Sequence, residues 1–419
     1  MMNRTMRGSA ASTRTPSASA GPIRAWSGSD TTVEHAHTSV GMAPQRASPS
    51  LALRVRITHP APMSMLCAML AVLVGGCAGH KPIIPAPPRP VSFTSADGRV
   101  TATIHGPLRR EPNRPSAQKR LEWFLYGPED EPGSVLRRPQ GLTSAGGFLY
   151  IADQGLPDVL RYDLAGRTYH RWIRSGDRPT CPIAAAADDA GRVYVADAAK
   201  RTVFAFDEQG HREADLSLHP DGKEQFRPSA ILVHGGVVYV ADADSQQIRC
   251  FDLARHIWIT PIGPGSADDA VAMPAGLAMT PRGELLVTDA ILGLVHRFDA
   301  EGKPLKPIGE YGAETGQLIR PLGIACTTSG IILVADAGRE SVMAFDRDGA
   351  FLFEIAGPSG EWNGFFMPTG VAVLPGYESI TNPGDDTETA GGSQPEWAVV
   401  SDTMHGTLTL LSIQRTSPG

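Results

Sequence analysis

Residues 320–349 read RPLGIACTTSGIILVADAGRESVMAFDRDG, and this stretch returns in weaker form five more times along the 419-residue chain. It contains a Pro-x-Gly entry, a short apolar run, a Ser-Gly turn and a second apolar run that ends at Asp336. A polar loop, a third apolar run and an Asp-x-Asp-Gly turn follow. Short runs of β-branched and aromatic residues bounded by Gly, Pro and Asp are typical of strands. The stretch therefore predicts one antiparallel meander, which needs neighbours to bury its faces.

The other copies are aligned by the aspartate that ends the second apolar run. These aspartates are Asp153, Asp197, Asp242, Asp289, Asp336 and Asp402. A repeat period in the forties, built only from strands, is typical of a β-propeller. The wide gap before Asp402 is explained by a polar insertion at residues 375–396, which contains Asp385, Asp386 and Glu388. We interpret this insertion as an acidic loop of the sixth unit, either solvated or in contact with a partner.

At these motifs the chain resembles the NHL-repeat family of six-bladed β-propellers, over residues 121–413. The resemblance rests on the Pro-x-Gly entries, the [VI]-[AT]-D ends of the second strands and the F-D-x-x-G turns after the third strands. It implies an all-β, six-bladed propeller. The Asn and Arg that often follow the aspartate in the family are largely replaced here, so the resemblance supports the architecture and gives no support for a loop-borne activity.

The N-terminal region has the composition of a leader. Residues 1–62 are rich in Ser, Thr, Ala, Pro and Arg, which predicts no packed core. A basic segment, the apolar run 63–74 and two glycines then precede Cys77, as in a secretory signal. The tetrad 74–77 resembles the lipobox of bacterial lipoproteins, which implies cleavage before Cys77, lipidation of Cys77 and an extracytoplasmic envelope location. A plain signal peptide is the alternative.

Between the predicted lipid and the propeller lies a Pro-rich tether, within a connecting segment at residues 77–120. Residues 91–105 of this segment have the pattern of a small hairpin around Asp97-Gly98. The run LEWFLY at residues 121–126 resembles the outer strand that precedes other Pro-x-Gly entries, whereas the last repeat has no outer strand of its own. We therefore predict that residues 121–126 close the ring as the outer strand of blade six, with a short tail at 414–419.

Charge argues against a nucleic-acid partner. Without residues 1–76 the chain has 31 basic and 42 acidic residues, a net charge of −11, which is the wrong sign for binding a phosphate backbone. The predicted partner is an envelope protein, peptide or polymer, in addition to the membrane reached through the lipid.

Two sets of repeated positions are candidate sites. Each repeat aspartate is expected to accept backbone N–H groups in its own turn rather than to form a functional carboxylate ring. The residue before each entry proline alternates between Arg and a sulfur-bearing side chain. In chain order these residues are Arg138, Cys181, Arg227, Met273, Arg320 and Met367. Three guanidinium groups spaced around a channel mouth are suited to a carboxylate or phosphate; the alternative is that each arginine pairs with an acid of a neighbouring blade or is solvated.

The predicted positions of the histidines argue against a catalytic metal site. A metal site in the central channel, as in the metal-dependent lyases and lactonases that share this architecture, needs His and carboxylate groups on several innermost strands. The histidines are predicted instead in outer strands, turns, loops and one third strand, with His234 in a turn and His296 in the third strand. We conclude that a non-catalytic binding scaffold is the leading hypothesis and a channel-centred metal-dependent lyase or lactonase the alternative. No cofactor is predicted, and the sequence does not decide whether a calcium or zinc ion binds in the channel.

Overall fold

The computed structural model describes residues 91–108, 136–174, 176–216, 226–263, 270–355, 364–377 and 394–415. These residues form 25 strands in six sheets, and among them no helix is long and apolar enough to span a bilayer. The predicted all-β class is confirmed. Cys77, the predicted tether and residues 121–126 lie outside the described residues.

Each sheet is one antiparallel blade. The two N-terminal strands are β1 (Val91–Thr94) and β2 (Val100–Pro107). Blade 1 consists of β3 (Pro139–Ala145), β4 (Phe148–Asp153), β5 (Asp158–Asp163) and β6 (Thr168–Arg171). Blade 2 consists of β7 (Pro182–Ala187), β8 (Val193–Asp197), β9 (Thr202–Phe206) and β10 (Arg212–Asp215). Blade 3 consists of β11 (Pro228–His234), β12 (Val237–Asp242), β13 (Gln247–Asp252) and β14 (Ile257–Ile262).

The remaining blades follow the same order. Blade 4 consists of β15 (Pro274–Met279), β16 (Leu285–Asp289), β17 (Leu294–Phe298) and β18 (Pro304–Ile308). Blade 5 consists of β19 (Pro321–Cys326), β20 (Ile332–Asp336), β21 (Ser341–Phe345) and β22 (Phe351–Ile355). Blade 6 combines β23 (Pro368–Val373), β24 (Glu396–Asp402) and β25 (Thr407–Arg415) with β2 and β1.

The blades form a closed ring, as predicted. The first strand of each blade contacts the first strands of both neighbours, and β23 of blade 6 contacts β3 of blade 1. Apolar side chains are buried in six clusters, one at each interface between adjacent blades. Second strands, covered on both faces, are therefore largely buried, and β8, β16 and β20 are buried at every residue, whereas the outer strand β10 is exposed.

Both chain ends contribute to blade 6, but the closing strand differs from the prediction. β2 pairs with β25 from Val100 opposite Arg415 to Pro107 opposite Thr409, and β1 adds a fifth strand. The edge assigned to residues 121–126 is thus already occupied, so that prediction is wrong. The predicted hairpin at residues 91–105 does form, yet it belongs to the propeller sheet rather than to a connection before it.

The glycine of the Pro-x-Gly entry is explained by the spacing of the innermost strands. A Cβ atom built on Gly276 would lie 2.2 Å from the Leu322 carbonyl oxygen of blade 5, and one on Gly370 would lie 2.1 Å from the Gln140 carbonyl oxygen of blade 1. Blades 2 and 3 have Ala184 and Ala230 at this position. The motif therefore reflects close backbone approach at the centre of the ring.

Every blade presents the same end to the same side of the ring. First strands begin, and second strands end, where the entry proline is paired with the repeat aspartate, as in Pro321 opposite Asp336. The loops between second and third strands and the connections between blades lie at this end. We call this side of the molecule the entry face and the other side the opposite face.

Candidate functional site at the channel mouth

The repeat aspartates hold the entry face together. Asp336 is fully buried, and its Oδ1 and Oδ2 atoms accept hydrogen bonds from the backbone N–H groups of Ile319, Arg320, Gly338 and Arg339. Comparable backbone bonds occur in each blade, to Asp153, Asp197, Asp242, Asp289 and Asp402. Each carboxylate joins the start of an innermost strand to the loop after the second strand. The prediction that each repeat aspartate accepts backbone N–H groups is confirmed.

Three of these carboxylates also receive a side-chain donor. Arg249 Nε lies 2.8 Å from Asp242 Oδ2, His296 Nε2 lies 3.2 Å from Asp289 Oδ2, and His405 Nδ1 lies 2.9 Å from Asp402 Oδ2. Burial alone would raise the pKa of Asp289, but the hydrogen bonds from His296 and from backbone N–H groups outweigh burial and lower the pKa to about 2. This carboxylate is therefore held in its charged form.

A cavity of about 440 Å³ lies at the centre of the ring and is lined by the innermost strands of all six blades. Its wall is mostly backbone and small apolar side chains. Among the described residues that line the cavity, the ionisable side chains are those of Arg227 and Arg320 at its mouth. The channel therefore provides shape and apolar surface, while charge is concentrated at the entry face.

The three predicted arginines occupy equivalent rim positions on blades 1, 3 and 5, and all are exposed. Arg227 pairs with Asp244, with 3.1 Å between Nε and Oδ1. For Arg138 and Arg320, the described part of the chain provides no carboxylate within ion-pair distance. The repeat aspartates bind the backbone N–H groups of all three arginines, so the arginine side chains take no part in these bonds. Arg227 thus pairs with an acid of its own blade and not of a neighbouring one, and the charges of Arg138 and Arg320 have no carboxylate partner among the described residues.

The sulfur-bearing rim residues are more buried than the arginines. Burial raises the pKa of the Cys181 thiol, the nearby Asp197 carboxylate raises it further, and the charge of Arg138 acts in the opposite direction. Cys181, Cys250 and Cys326 are free thiols.

Exposed apolar side chains form a second feature of the entry face, which the sequence patterns did not predict. Ile291 and Leu292 in the β16–β17 loop and Tyr311 before blade 5 are 60%, 38% and 66% exposed. On blade 6, Phe366 and Met404 are 51% and 59% exposed. Five of the eight large exposed apolar residues of the described ranges lie on the entry face of blades 4 to 6. They belong to irregular loops, where no period of two reveals which side chains are solvent-facing.

The histidines are placed mostly as predicted. His170 lies in the outer strand β6 and His296 in the third strand β17, but His234 is the exposed last residue of the innermost strand β11 rather than a turn residue. Within the described ranges, no group of three or more His, Cys, Asp or Glu side chains is arranged to hold a metal ion.

No protein-family model matches the chain, and no curated protein matches its sequence significantly. Solved structures with similar folds include Kuenenia stuttgartiensis hydrazine synthase (15% identity, 66% of this chain and 95% of that chain, TM-score 0.45). A gluconolactonase from Xanthomonas campestris is 13% identical over 67% of this chain and 88% of its own, with a TM-score of 0.48. Virginiamycin B lyase from Staphylococcus aureus is 12% identical over 66% of this chain and 94% of its own, with a TM-score of 0.44.

These similarities are too distant to transfer an activity, because one propeller scaffold supports many unrelated functions. The class of the protein rests on its own strand topology: the chain is a six-bladed β-propeller closed by strands from both ends.

Proposed function

We propose that this chain is a non-catalytic binding propeller of the NHL type, whose entry face holds a protein or peptide that combines apolar side chains with carboxylates. The observation that carries the proposal is the pairing of uncompensated rim arginines with exposed apolar side chains on one face. The partner belongs to the cell envelope, because the Cys77 lipobox predicts an exported, lipid-anchored protein.

The apolar part of this face has the composition of a protein-binding surface. Exposed Tyr, Phe, Met and Ile side chains gain free energy when a partner removes them from water. Clusters of such side chains on a protein surface mark interaction sites. The ring centroids of Phe366 and His405 are 5.9 Å apart, and Tyr311 lies against the loop that contains Ile291. The aromatic side chains are thus supported by neighbouring loops, which reduces the entropy lost when a partner binds.

The rim arginines of this face favour a negatively charged group on the partner. Arg138 and Arg320 are exposed without a carboxylate partner in the described residues, and Arg227 shares Asp244 with Arg201. An acidic group of the partner gains charge-assisted hydrogen bonds here without displacing an internal ion pair at two of the three positions. Electrostatic complementarity of this kind favours orientation and association rate.

Site-specific photo-crosslinking in cells tests the proposed face. We place a photo-reactive residue at Tyr311 or Phe366 on the entry face, and at Ile257 or Leu305 on outer strands as matched exposed apolar controls. The expected result is one protein adduct shared by both entry-face positions and absent from both controls. Adducts of equal yield at all four positions, or none at the entry face, would contradict the proposal.

A second variant ties the adduct to the arginines. Replacing Arg138, Arg227 and Arg320 together by Ala is expected to reduce the Tyr311 adduct at least fivefold, because the acidic contacts are lost. Replacing the exposed Arg99, Arg255 and Arg282 by Ala removes the same charge elsewhere and is expected to leave the adduct unchanged. An equal loss in both triple variants would indicate a general charge effect and not a site.

The envelope location is tested separately. Metabolic labelling with a radioactive fatty acid is expected to label the wild-type chain and not the Cys77→Ser variant, which should also leave the membrane fraction. If the variant is labelled to the same extent, the prediction that Cys77 is lipidated is wrong. The crosslinking result does not depend on this outcome.

A further inference from the structure

A second cavity, of about 860 Å³, lies in a groove between blades 1 and 2. It shares no lining residue with the central channel. Its walls include the aromatic residues Phe148, Tyr150 and Trp172. The lining side chains that carry or can carry positive charge are Arg161, His170, Arg171, Arg174 and Arg178, against one acid, Glu208.

Arg161 is the central cation of this groove. Its guanidinium carbon lies 4.3 Å from the centroid of the Phe148 ring, which is a cation–π arrangement. Its Nε is buried without a hydrogen-bond acceptor, and no carboxylate of the described residues lies within ion-pair distance of the side chain. Burial raises the pKa of the neighbouring Tyr150 hydroxyl, and the charge of Arg161 partly opposes this rise. The groove thus holds a guanidinium and a hydroxyl side by side; the one lining acid, Glu208, is not within ion-pair distance of Arg161, although its charge adds to the rise in the Tyr150 pKa.

Blade 4 shows what the same backbone position does when an acid is present. Arg297 and Arg161 occupy the same register in their third strands, opposite Leu286 and Tyr150 respectively. Arg297 Nη2 lies 2.7 Å from Glu284 Oε2, although its Nε, like that of Arg161, is buried without an acceptor. The residue that corresponds to Glu284 in blade 1 is Phe148, so the carboxylate is replaced by a ring.

Blade 2 provides a second internal example. Asp188 Oδ2 accepts hydrogen bonds from Arg192 Nε at 2.9 Å and from the Tyr194 hydroxyl at 3.1 Å. Tyr194 occupies the register of Tyr150, in the matching runs VYVAD and LYIAD. The turn that carries Asp188 is shortened in blade 1 to Gly146-Gly147, which removes the acid. Two blades therefore place a carboxylate where blade 1 has an open cavity.

We infer that the groove between blades 1 and 2 binds a ligand that carries a carboxylate on a planar apolar body. The carboxylate accepts hydrogen bonds from the Arg161 guanidinium and the Tyr150 hydroxyl, taking the place that Glu284 and Asp188 occupy in blades 4 and 2. The apolar body packs against Phe148 and Trp172. A guanidinium that is partly removed from water favours a carboxylate strongly, because its planar donors match both oxygens.

Other charges in the groove are consistent with this assignment. Arg171 and Arg178 are already paired with the buried Asp158, at 3.3 Å and 3.5 Å. Arg174 Nε donates to the Gln209 carbonyl oxygen at 3.3 Å. Arg171 and Arg178 therefore raise the local positive potential without competing for the ligand carboxylate. Arg161 and the exposed Arg174 have no carboxylate partner among the described residues, and of these two Arg161 is the one that lies against Phe148 and Tyr150.

Ligand-observed NMR with benzoate and its neutral isostere benzamide tests the inference on the purified chain. Benzoate is expected to bind and benzamide to bind at least tenfold more weakly, because both present the same ring and only benzoate is charged. The Arg161→Gln variant is expected to weaken benzoate binding at least tenfold. The control is Arg297→Gln, which removes an arginine at the same register of blade 4 and is expected to leave benzoate binding unchanged while lowering the melting temperature.

Two further variants keep the test decisive if Arg161→Gln folds poorly. Phe148→Glu recreates the blade 4 pair within blade 1, and the internal carboxylate is expected to weaken benzoate binding at least tenfold. Tyr150→Phe removes one donor and is expected to weaken it about threefold. Equal binding of benzoate and benzamide, or unchanged benzoate binding in Phe148→Glu, would overturn the inference, as would an equal loss in Arg297→Gln.

Discussion

Blades 5 and 6 are built to the same plan from different parts of the chain. Blade 5 is one continuous run from Pro321 to Ile355, whereas blade 6 joins residues 368–415 to the hairpin at 91–107. Both begin with an entry proline opposite a buried aspartate, and both bury apolar side chains in the cluster that they share. The repeat therefore specifies a blade, while ring closure depends on a segment outside the repeats.

The largest expected effect breaks this closure. Ile104 in β2 is 3% exposed and opposite Leu411 of β25. Ile104→Asp removes apolar burial and introduces a buried charge, so we expect a loss of at least about 4 kcal/mol in the free energy of unfolding. Chemical denaturation measures this loss. Because β2 covers an otherwise open sheet edge, the variant is also expected to aggregate.

The neighbouring Thr103 provides the control for Ile104. Its hydroxyl is hydrogen-bonded to the Ser92 hydroxyl of the neighbouring strand β1, on the exposed side of the sheet. Thr103→Ala keeps the strand and its apolar face, so we expect a change within about 0.5 kcal/mol. A similar small effect for Ile104→Asp would show that blade 6 is stable without its N-terminal strands.

The next effect compares the interfaces on the two sides of blade 6. A Cβ on Gly370 would lie 2.1 Å from the Gln140 carbonyl oxygen at the closing interface, and one on Gly323 would lie 2.6 Å from the Thr369 carbonyl oxygen. We expect Gly370→Ala to cost about 3 kcal/mol and Gly323→Ala about 2 kcal/mol, since backbone must shift in both. Thermal and urea unfolding measure the two variants.

Blade 3 provides the reference for these glycines. Ala230 occupies the equivalent position there, so this interface already accommodates a Cβ. Ala230→Gly is expected to cost only about 1 kcal/mol, through lost packing and backbone entropy. If both Gly→Ala variants were as mild as this exchange, close strand approach would not explain the entry motif.

Much of this architecture could be predicted from the sequence because it is local. The entry proline, the repeat aspartate and the turns recur with each blade, and the energy of each is decided within about 40 residues. The closing strand was assigned wrongly because residues 121–126 have the pattern of an outer strand and pairing across the ring leaves no local mark. Only the structure shows that β2 occupies this edge.

The candidate sites divide in the same way. The rim arginines could be found from the sequence because they occupy one repeated position. The groove at Arg161 could not be found from the sequence, because its distinguishing feature is the lack of the acid that other blades have. Recognising this requires the contacts of Arg297 and Asp188 in blades 4 and 2. The exposed apolar side chains of the entry face lie in irregular loops, which also have no sequence signature.

A moderate effect is expected where blades differ in how they hold the repeat aspartate. His296 donates to Asp289 in blade 4, whereas blade 5 has Met343 at this register. Hydrogen bonds lower the folded-state pKa of Asp289 to about 2 against the opposing effect of burial. The unfolded value is about 3.9, so this carboxylate stabilises the fold above pH 4 and the contribution is lost as pH falls toward 2.

Denaturation across this pH window tests the assignment. We expect the Asp289 contribution, about 2 kcal/mol, to disappear between pH 4 and pH 2. In Asp289→Asn this component of the pH dependence is expected to be absent, although the variant is less stable at neutral pH. A variant with the same pH profile as wild type would show that other carboxylates account for the acid sensitivity.

The smallest effect on stability is expected at the channel mouth, where blade 5 has Arg320 and blade 6 has Met367. In both blades the aspartate binds the backbone N–H of the rim residue, and the Arg320 side chain is exposed. Arg320→Met should therefore change the free energy of unfolding by less than about 0.5 kcal/mol. Calorimetric titration with citrate, whose three carboxylates probe the three rim arginines, should show about tenfold weaker binding. Met367→Arg adds a fourth guanidinium and should strengthen it; unchanged citrate affinity in both variants would mean that the rim arginines form no anion site.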